Sequence, residues 1–285
     1  MNEYATAAAE KAAYADYWSY NATSFAAQGC YEWMAAQLDH VRPCSVLDIG
    51  CGTGEGVLAL SERFGCEIVA IDENLHCLRR TYRLLRDNGI DADLRSRFKF
   101  IQNPDGSHST LIEKPPIQTS KRISLIQADI FFEDLAFQSY LRTRGPFDAM
   151  TVWLVGTYQC RQTCADLYSL RIADPQEYRL RVQNKAYAIA PNFLRPGGVL
   201  QVIDRGEPLD SKDLLEEHLR GHRDQAELGD LEVQGLTTRP YAEHATPKGV
   251  EMVVSLGTSS HVPNLDETVL ISVQSLKPLT SSGPP

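Results

Sequence analysis

The sequence has no basic run. Its 28 Lys and Arg stand against 37 Asp and Glu over 285 residues, a net charge of −9. Nucleic-acid binders gather cations on one face to neutralise phosphates. Arg79-Arg80, with Arg83 and Arg86, repeats at helical spacing and reads as a solvated helix face. No nucleic-acid partner is expected. Apolar runs long enough to cross a bilayer are also missing, so no membrane partner is expected. The alanine-rich stretch from Ala5 to Ala15 is broken by Glu10 and Lys11 and reads as a helix, not a signal peptide. The seven cysteines are odd in number and lack paired CxxC spacing, which argues against a disulfide framework and a structural zinc site. The expectation is a cytoplasmic protein with reduced thiols and no metal, acting on a small molecule as a monomer or homodimer. The 43% apolar content is ordinary and supports a substantial core.

Residues 1–40 read as a helical lid rich in aromatics: Tyr14, Tyr17, Trp18, Tyr20, Phe25, Tyr31 and Trp33. Tyr14, Trp18 and Phe25 share one face at helical periodicity. From Pro43 onward strand and helix alternate. Strands are expected at 44–49, 67–72, 123–128, 147–155 and 199–203, and helices at 55–63, 74–87, 132–141, 175–190 and 210–226. Such alternation implies a parallel sheet covered on both faces by right-handed crossovers. Residues 90–122 break the rhythm. Two β-like runs, 97–102 and 109–113, flank Asn103-Pro104-Asp105-Gly106 and read as an inserted hairpin. The β-like runs 231–237, 249–256 and 268–276 follow, two of them forming an antiparallel edge. Residues 41–278 are thus one domain carrying the 90–122 insertion, and 279–285 read as a disordered tail.

The most informative stretch is Val46-Leu47-Asp48-Ile49-Gly50-Cys51-Gly52-Thr53-Gly54-Glu55-Gly56: an apolar strand, a glycine turn and the start of a helix. A P-loop closes its glycine run with Lys-Ser/Thr, whereas Gly54 is followed by Glu55-Gly56-Val57. A dinucleotide site sets a pyrophosphate on the helix N-terminus, where Glu55 repels it. This stretch resembles the VLDxGxGxG motif of the class I S-adenosylmethionine-dependent methyltransferases. Leu194-Arg195-Pro196-Gly197-Gly198-Val199-Leu200 resembles their LxPGGxL turn, and 147–155 matches their fourth strand in hydrophobicity. The resemblance covers about residues 44–205. It implies a Rossmann-like α/β fold: a seven-stranded, mostly parallel sheet with helices on both faces, here with an N-terminal lid and a hairpin insertion.

The resemblance also implies a cofactor, S-adenosyl-L-methionine, and a set of positions for it. Gly50, Cys51, Gly52 and Gly54 form the turn. Asp48 orients that turn or reaches the methionine amine. Asp72 takes the ribose hydroxyls, with Glu73 and Asn74 flanking ribose and adenine. Asp129 accepts from the adenine amino group and Ile130 covers the ring. Tyr14, Trp18 and Trp153 are expected against the sulfonium, where an aromatic face contributes about 0.5–2 kcal/mol. Tyr20, Trp153 and Tyr158 are the catalytic candidates. Trp153-Leu154-Val155-Gly156-Thr157-Tyr158 lacks the Asn/Asp-Pro-Pro-Tyr of enzymes that methylate exocyclic amines on bases. His218 and His222 lie four apart without the glutamate of a metalloprotease helix and read as surface residues.

Three functions fit. The first is methyl transfer to a small molecule in specialised metabolism. The second is cyclisation of S-adenosylmethionine to azetidine-2-carboxylic acid and methylthioadenosine. The third is a non-catalytic cofactor-binding module.

Overall fold

The computed structural model describes residues 3–105, 107–113, 115–157, 161, 164–172, 174–242 and 268–279, with side chains from residue 8 onward. Tyr158, the run 249–256 and residues 280–285 lie outside them.

The chain opens with α1 (Glu3–Ala27) and α2 (Cys30–Ala36). Alternation follows: β1 (Ser45–Ile49), α3 (Glu55–Phe64), β2 (Glu67–Asp72) and α4 (Leu75–Asp87). Next come β3 (Ala92–Arg95) and the hairpin β4 (Phe98–Gln102) and β5 (His108–Ile112). The second half holds β6 (Ile123–Gln127), α5 (Leu135–Arg144), β7 (Phe147–Trp153), α6 (Pro175–Phe193), β8 (Leu194–Gly206), α7 (Lys212–Ala226), β9 (Glu232–Pro240) and β10 (Val269–Leu276).

The main sheet has the order β3-β6-β2-β1-β7-β8-β10-β9, with β10 antiparallel to both neighbours. Among the described residues it has eight strands, not seven. The additional one is β3, which pairs in parallel with β6 from Ala92↔Ile123 to Arg95↔Ile126. Its four residues look like part of the insertion because so short a run carries no pattern of its own. The hairpin forms as expected, in a separate sheet with register Phe98↔Ile112 to Gln102↔His108.

The central strands are buried on both faces, and successive side chains alternate between them. Val46, Ile68 and Leu125 join α1–α4 in one core, while Leu47, Val69 and Ile126 join α5 and α6 in the other. The fifth helix starts three residues later than expected, at Leu135, because Asp134 is its cap and accepts the Phe137 N–H at 3.0 Å. The last helix likewise begins behind Ser211, whose hydroxyl accepts the Leu214 N–H.

β1 lies between β2 and β7, so the chain leaves it in opposite directions on its two sides. The crevice beyond the carboxyl ends of these strands is where an open α/β sheet binds ligands.

Candidate cofactor site

Beyond β1 the chain turns sharply. The N–H groups of Gly50 and Cys51 both donate to the Ile71 carbonyl, at 2.9 and 3.0 Å, which pins the turn to the end of β2. Gly52 adopts φ +54°, and a Cβ there would meet Trp18 Nε1 at 2.5 Å. The position therefore demands glycine twice, for its backbone angle and for the approach of α1. Gly156, beyond β7, has the same dependence on α1: a Cβ would lie 2.3 Å from the Tyr14 hydroxyl oxygen.

The last residue of β2 supplies the principal carboxylate. Asp72 Oδ2 accepts the Gly52 N–H at 3.0 Å and Oδ1 accepts the Asn74 N–H at 2.8 Å. Burial, reinforced by the neighbouring Glu73, raises its pKa to about 8 in spite of those two donors and Arg161. Beyond β6, Asp129 Oδ1 accepts the Phe131 N–H at 2.9 Å, and Oδ2 lies 2.7 Å from Arg161 Nη2. The same Nη2 donates to the Tyr178 hydroxyl at 3.1 Å, and the guanidinium sits 5.3 Å from the Tyr178 ring centre. Arg161 Nη1 also approaches Glu73 Oε2, at 4.0 Å. Arg161 is thus a buried cation between two acids and a phenol.

These groups enclose one cavity of about 60 Å³. Its walls include Tyr14, Trp18, Gly50, Gly52, Asp72, Glu73, Asp129 and Ile130, together with Ile49, Ile71, Leu154, Val155, Tyr178 and Val182. Burial holds the Tyr14 and Tyr178 phenols above their ordinary range, so both stay protonated. No histidine lines the cavity among the described residues.

Other expected residues lie elsewhere. Asp48 is buried within the sheet and accepts the Thr151 hydroxyl at 2.6 Å, away from the cavity; burial pushes its pKa up to about 6. Its parity along β1 sends it to the α1–α4 face, with Val46. Trp153 is core for the same reason. Its Nε1 donates to Gln201 Oε1 at 3.1 Å and its ring packs on Gly56. Cys51 is buried behind the turn. Gly54 caps α3 against Thr81, and Asn74 caps α4 while donating to the Lys11 carbonyl at 2.8 Å. Tyr20 is 45% exposed and does not line the cavity. His222 is not a surface residue: it is buried, with Nδ1 3.0 Å from the Tyr187 hydroxyl. Burial pushes its pKa down to about 3. Among the described cysteines, Cys30, Cys51, Cys66, Cys77 and Cys164 are buried free thiols, while Cys44 is exposed.

Sequence reading missed Arg161, Tyr178 and Val182. The last two sit one turn apart on α6, whose start at Pro175 was legible, but nothing in the sequence says which face of α6 meets the cavity. Arg161 lies in no motif that the sequence makes recognisable.

No helix among the described residues is long and apolar enough to cross a membrane. Residues 46–107 match the model of a family described as a methyltransferase domain. A search of curated protein sequences gave no match. Among solved structures, the N-methyltransferase NodS of Bradyrhizobium japonicum, in complex with S-adenosyl-L-homocysteine, is 14% identical over 86% of this chain and 86% of that one, with a TM-score of 0.41. A putative sarcosine dimethylglycine methyltransferase of Galdieria sulphuraria is 12% identical over 87% and 85%, with a TM-score of 0.44. The [4+2]-cyclase SpnF is 12% identical over 86% and 81%, with a TM-score of 0.43. Likenesses at that level carry no argument about substrate or reaction. The match to this methyltransferase domain family runs from β1 through the glycine turn, α3, β2 and α4 to β3 and β4, and so takes in the glycine corner and Asp72 of an α/β fold with a mostly parallel sheet.

Proposed function

We propose that the protein transfers the methyl group of S-adenosylmethionine to a small molecule of specialised metabolism. The observation that carries the reading is the meeting of Gly52, Asp72 and Asp129 at one rim of the sheet. The donor set fits the cofactor. Each Asp72 oxygen accepts one backbone N–H and has a further lone pair for a ribose hydroxyl. Asp129 holds Arg161 on one oxygen and has capacity for the adenine amino group as well. Ile130 and Val182 supply apolar cover, and Trp18 an aromatic face against a cation.

When bound, the cofactor supplies an electrophilic methyl group on a sulfonium. This chain's contribution is positioning and exclusion of water, together worth about 7–11 kcal/mol where the geometry is right. A cavity of about 60 Å³ is far below the roughly 300–1,000 Å³ of ligand sites. That small volume supports reading α1, which carries Tyr14 and Trp18, as a lid that swings away to admit ligands. With two phenols kept protonated and no histidine among the described wall residues, an acceptor that brings its own lone pair, such as an amine, suits the site better than one needing a strong base.

One observation favours a second reading. Tyr14 and Trp18 stand directly against Gly156 and Gly52, and intramolecular cyclisation to azetidine-2-carboxylic acid needs no room for a second substrate. Incubation with S-adenosylmethionine, alone and with a metabolite extract, followed by mass spectrometry, separates the two. Transfer gives S-adenosylhomocysteine only with extract. Methylthioadenosine without extract selects the cyclase, and neither product selects a non-catalytic binding module.

A further inference from the structure

We propose that the cavity between α1, the first turn of α4 and the β4–β5 hairpin is a binding site for a monocyclic aromatic carboxylate. It encloses about 190 Å³ and is walled by Lys11, Leu75, His76, Phe98, Phe100 and His108. A cavity of about 150 Å³ already admits benzene, so this one has room for a ring and a carboxyl group. It shares no wall residue with the cofactor cavity.

The walls select for flatness and negative charge. Phe98 and Phe100 stand edge-to-face at 6.5 Å, and the His108 ring lies edge-on to Phe100 at 5.9 Å. Aromatic walls in such tilted arrangements favour a planar guest, which finds both ring faces and ring edges. Lys11 brings the charge. Its side chain is only 8% exposed, its Nζ lies 3.3 Å above the Phe100 ring centre, and Glu73 Oε2 is 4.0 Å away. A ligand carboxylate would bring this buried ammonium an opposite charge and a charge-assisted hydrogen bond. The positive end of α4 faces the same space through Leu75 and His76. Burial keeps His76 and His108 below the usual imidazole range, so near neutral pH they present ring N–H groups and lone pairs, not a second and third charge.

The hairpin is held for this task. Asp166 accepts the Thr110 N–H at 2.6 Å, and His108 bridges to Cys164, which fixes the hairpin against the segment beyond Arg161. The opposite wall is α1, through Ala8 and Lys11. Tyr14 and Trp18 ride on that same helix, so a guest here clamps α1 to the body of the protein. The site therefore reads as regulatory. It lies on the Glu73–Asn74 flank, not at the Gly52 turn.

The test is calorimetric titration of the full chain with 4-hydroxybenzoate and, separately, benzyl alcohol. The carboxylate should bind with Kd below about 1 mM and the alcohol at least about tenfold more weakly. Lys11→Met should weaken the carboxylate by about tenfold or more and leave the alcohol unchanged. Ala8→Trp, at an exposed position of α1, fills the cavity and should abolish both. Hydrogen exchange across α1 should slow when the carboxylate is present. No saturable binding by the parent protein overturns the proposal. So does equal binding of acid and alcohol, an unaffected Lys11→Met variant, or an Ala8→Trp variant that keeps its circular-dichroism spectrum and still binds.

Discussion

The two flanks of the cofactor cavity are built on different principles. On the sheet side, backbone groups do the holding: the Ile71 carbonyl takes two turn N–H groups, and Asp72 takes the N–H groups of Gly52 and Asn74. On the lid side, side chains hold side chains. Trp18 rests on Gly52 and, edge-on, against Phe25, which packs in turn on Tyr241. Backbone hydrogen bonds fix their partners wherever the strands pair, whereas aromatic packing has alternatives at modest cost. A rim held by backbone groups beneath a helix held by side-chain packing suits the proposed role of α1 as a lid.

The largest effect should come where the two flanks touch. Gly52→Val places a branched side chain at φ +54° and against Trp18. It should cost about 1–3 kcal/mol of stability, read by thermal melting. Cofactor affinity should fall by about a hundredfold, near 3 kcal/mol. A variant with normal affinity breaks the claim that lid and rim meet at this glycine.

Next is Asp72. Asp72→Ala should weaken cofactor binding at least tenfold, about 1.4 kcal/mol. The pH dependence sharpens the case. The folded pKa near 8 is raised above the unfolded value of about 3.9. Native protein therefore holds this proton more tightly, and stability falls as pH rises from about 4 through about 8. Asp48, raised to about 6, adds to that loss in the lower part of the window. His222, depressed to about 3, acts oppositely, costing stability as pH drops below about 6.5. Ribose hydroxyls favour the ionised carboxylate, so cofactor affinity should climb over the window in which Asp72 lowers stability. Melting curves and calorimetry across that window should show the two opposed slopes, and Asp72→Asn should flatten the affinity slope and, above about pH 6 where Asp48 no longer contributes, the stability slope. Parallel slopes would falsify the ribose role.

Trp153→Phe tests the buried side of the rim. It removes the donor to Gln201 and should cost about 1–3 kcal/mol of stability, with cofactor affinity unchanged. A loss of affinity without a loss of stability would restore Trp153 to the site. The smallest effect belongs to Tyr20→Ala, exposed on α1. It should shift stability by no more than about 0.5 kcal/mol and leave binding and turnover as they were.

Much of the sheet was legible because each βα unit announces itself locally. Strand 67–72 has its expected ends, helix 74–87 needs only Asn74 reassigned as its cap, and the hairpin lies where Asn103-Pro104-Asp105-Gly106 places it. The strand-end acids Asp72 and Asp129 were legible for the same reason, since an acid at the end of an apolar run stands where the sheet meets solvent. Trp153 and Asp48 were not. Both lie in strands buried on their two faces, so hydrophobicity does not alternate and gives no clue to which way a side chain turns.

Local sequence therefore determined the elements and the glycine corner, because helix caps, turn glycines and apolar runs act over a few residues. The tertiary structure alone decided that Tyr14 and Trp18 close the cavity, that Arg161 sits between Asp129 and Glu73, and that the hairpin faces α1 across a second cavity. Those pairings join residues far apart in the chain, and only the packing of whole elements brings them within reach.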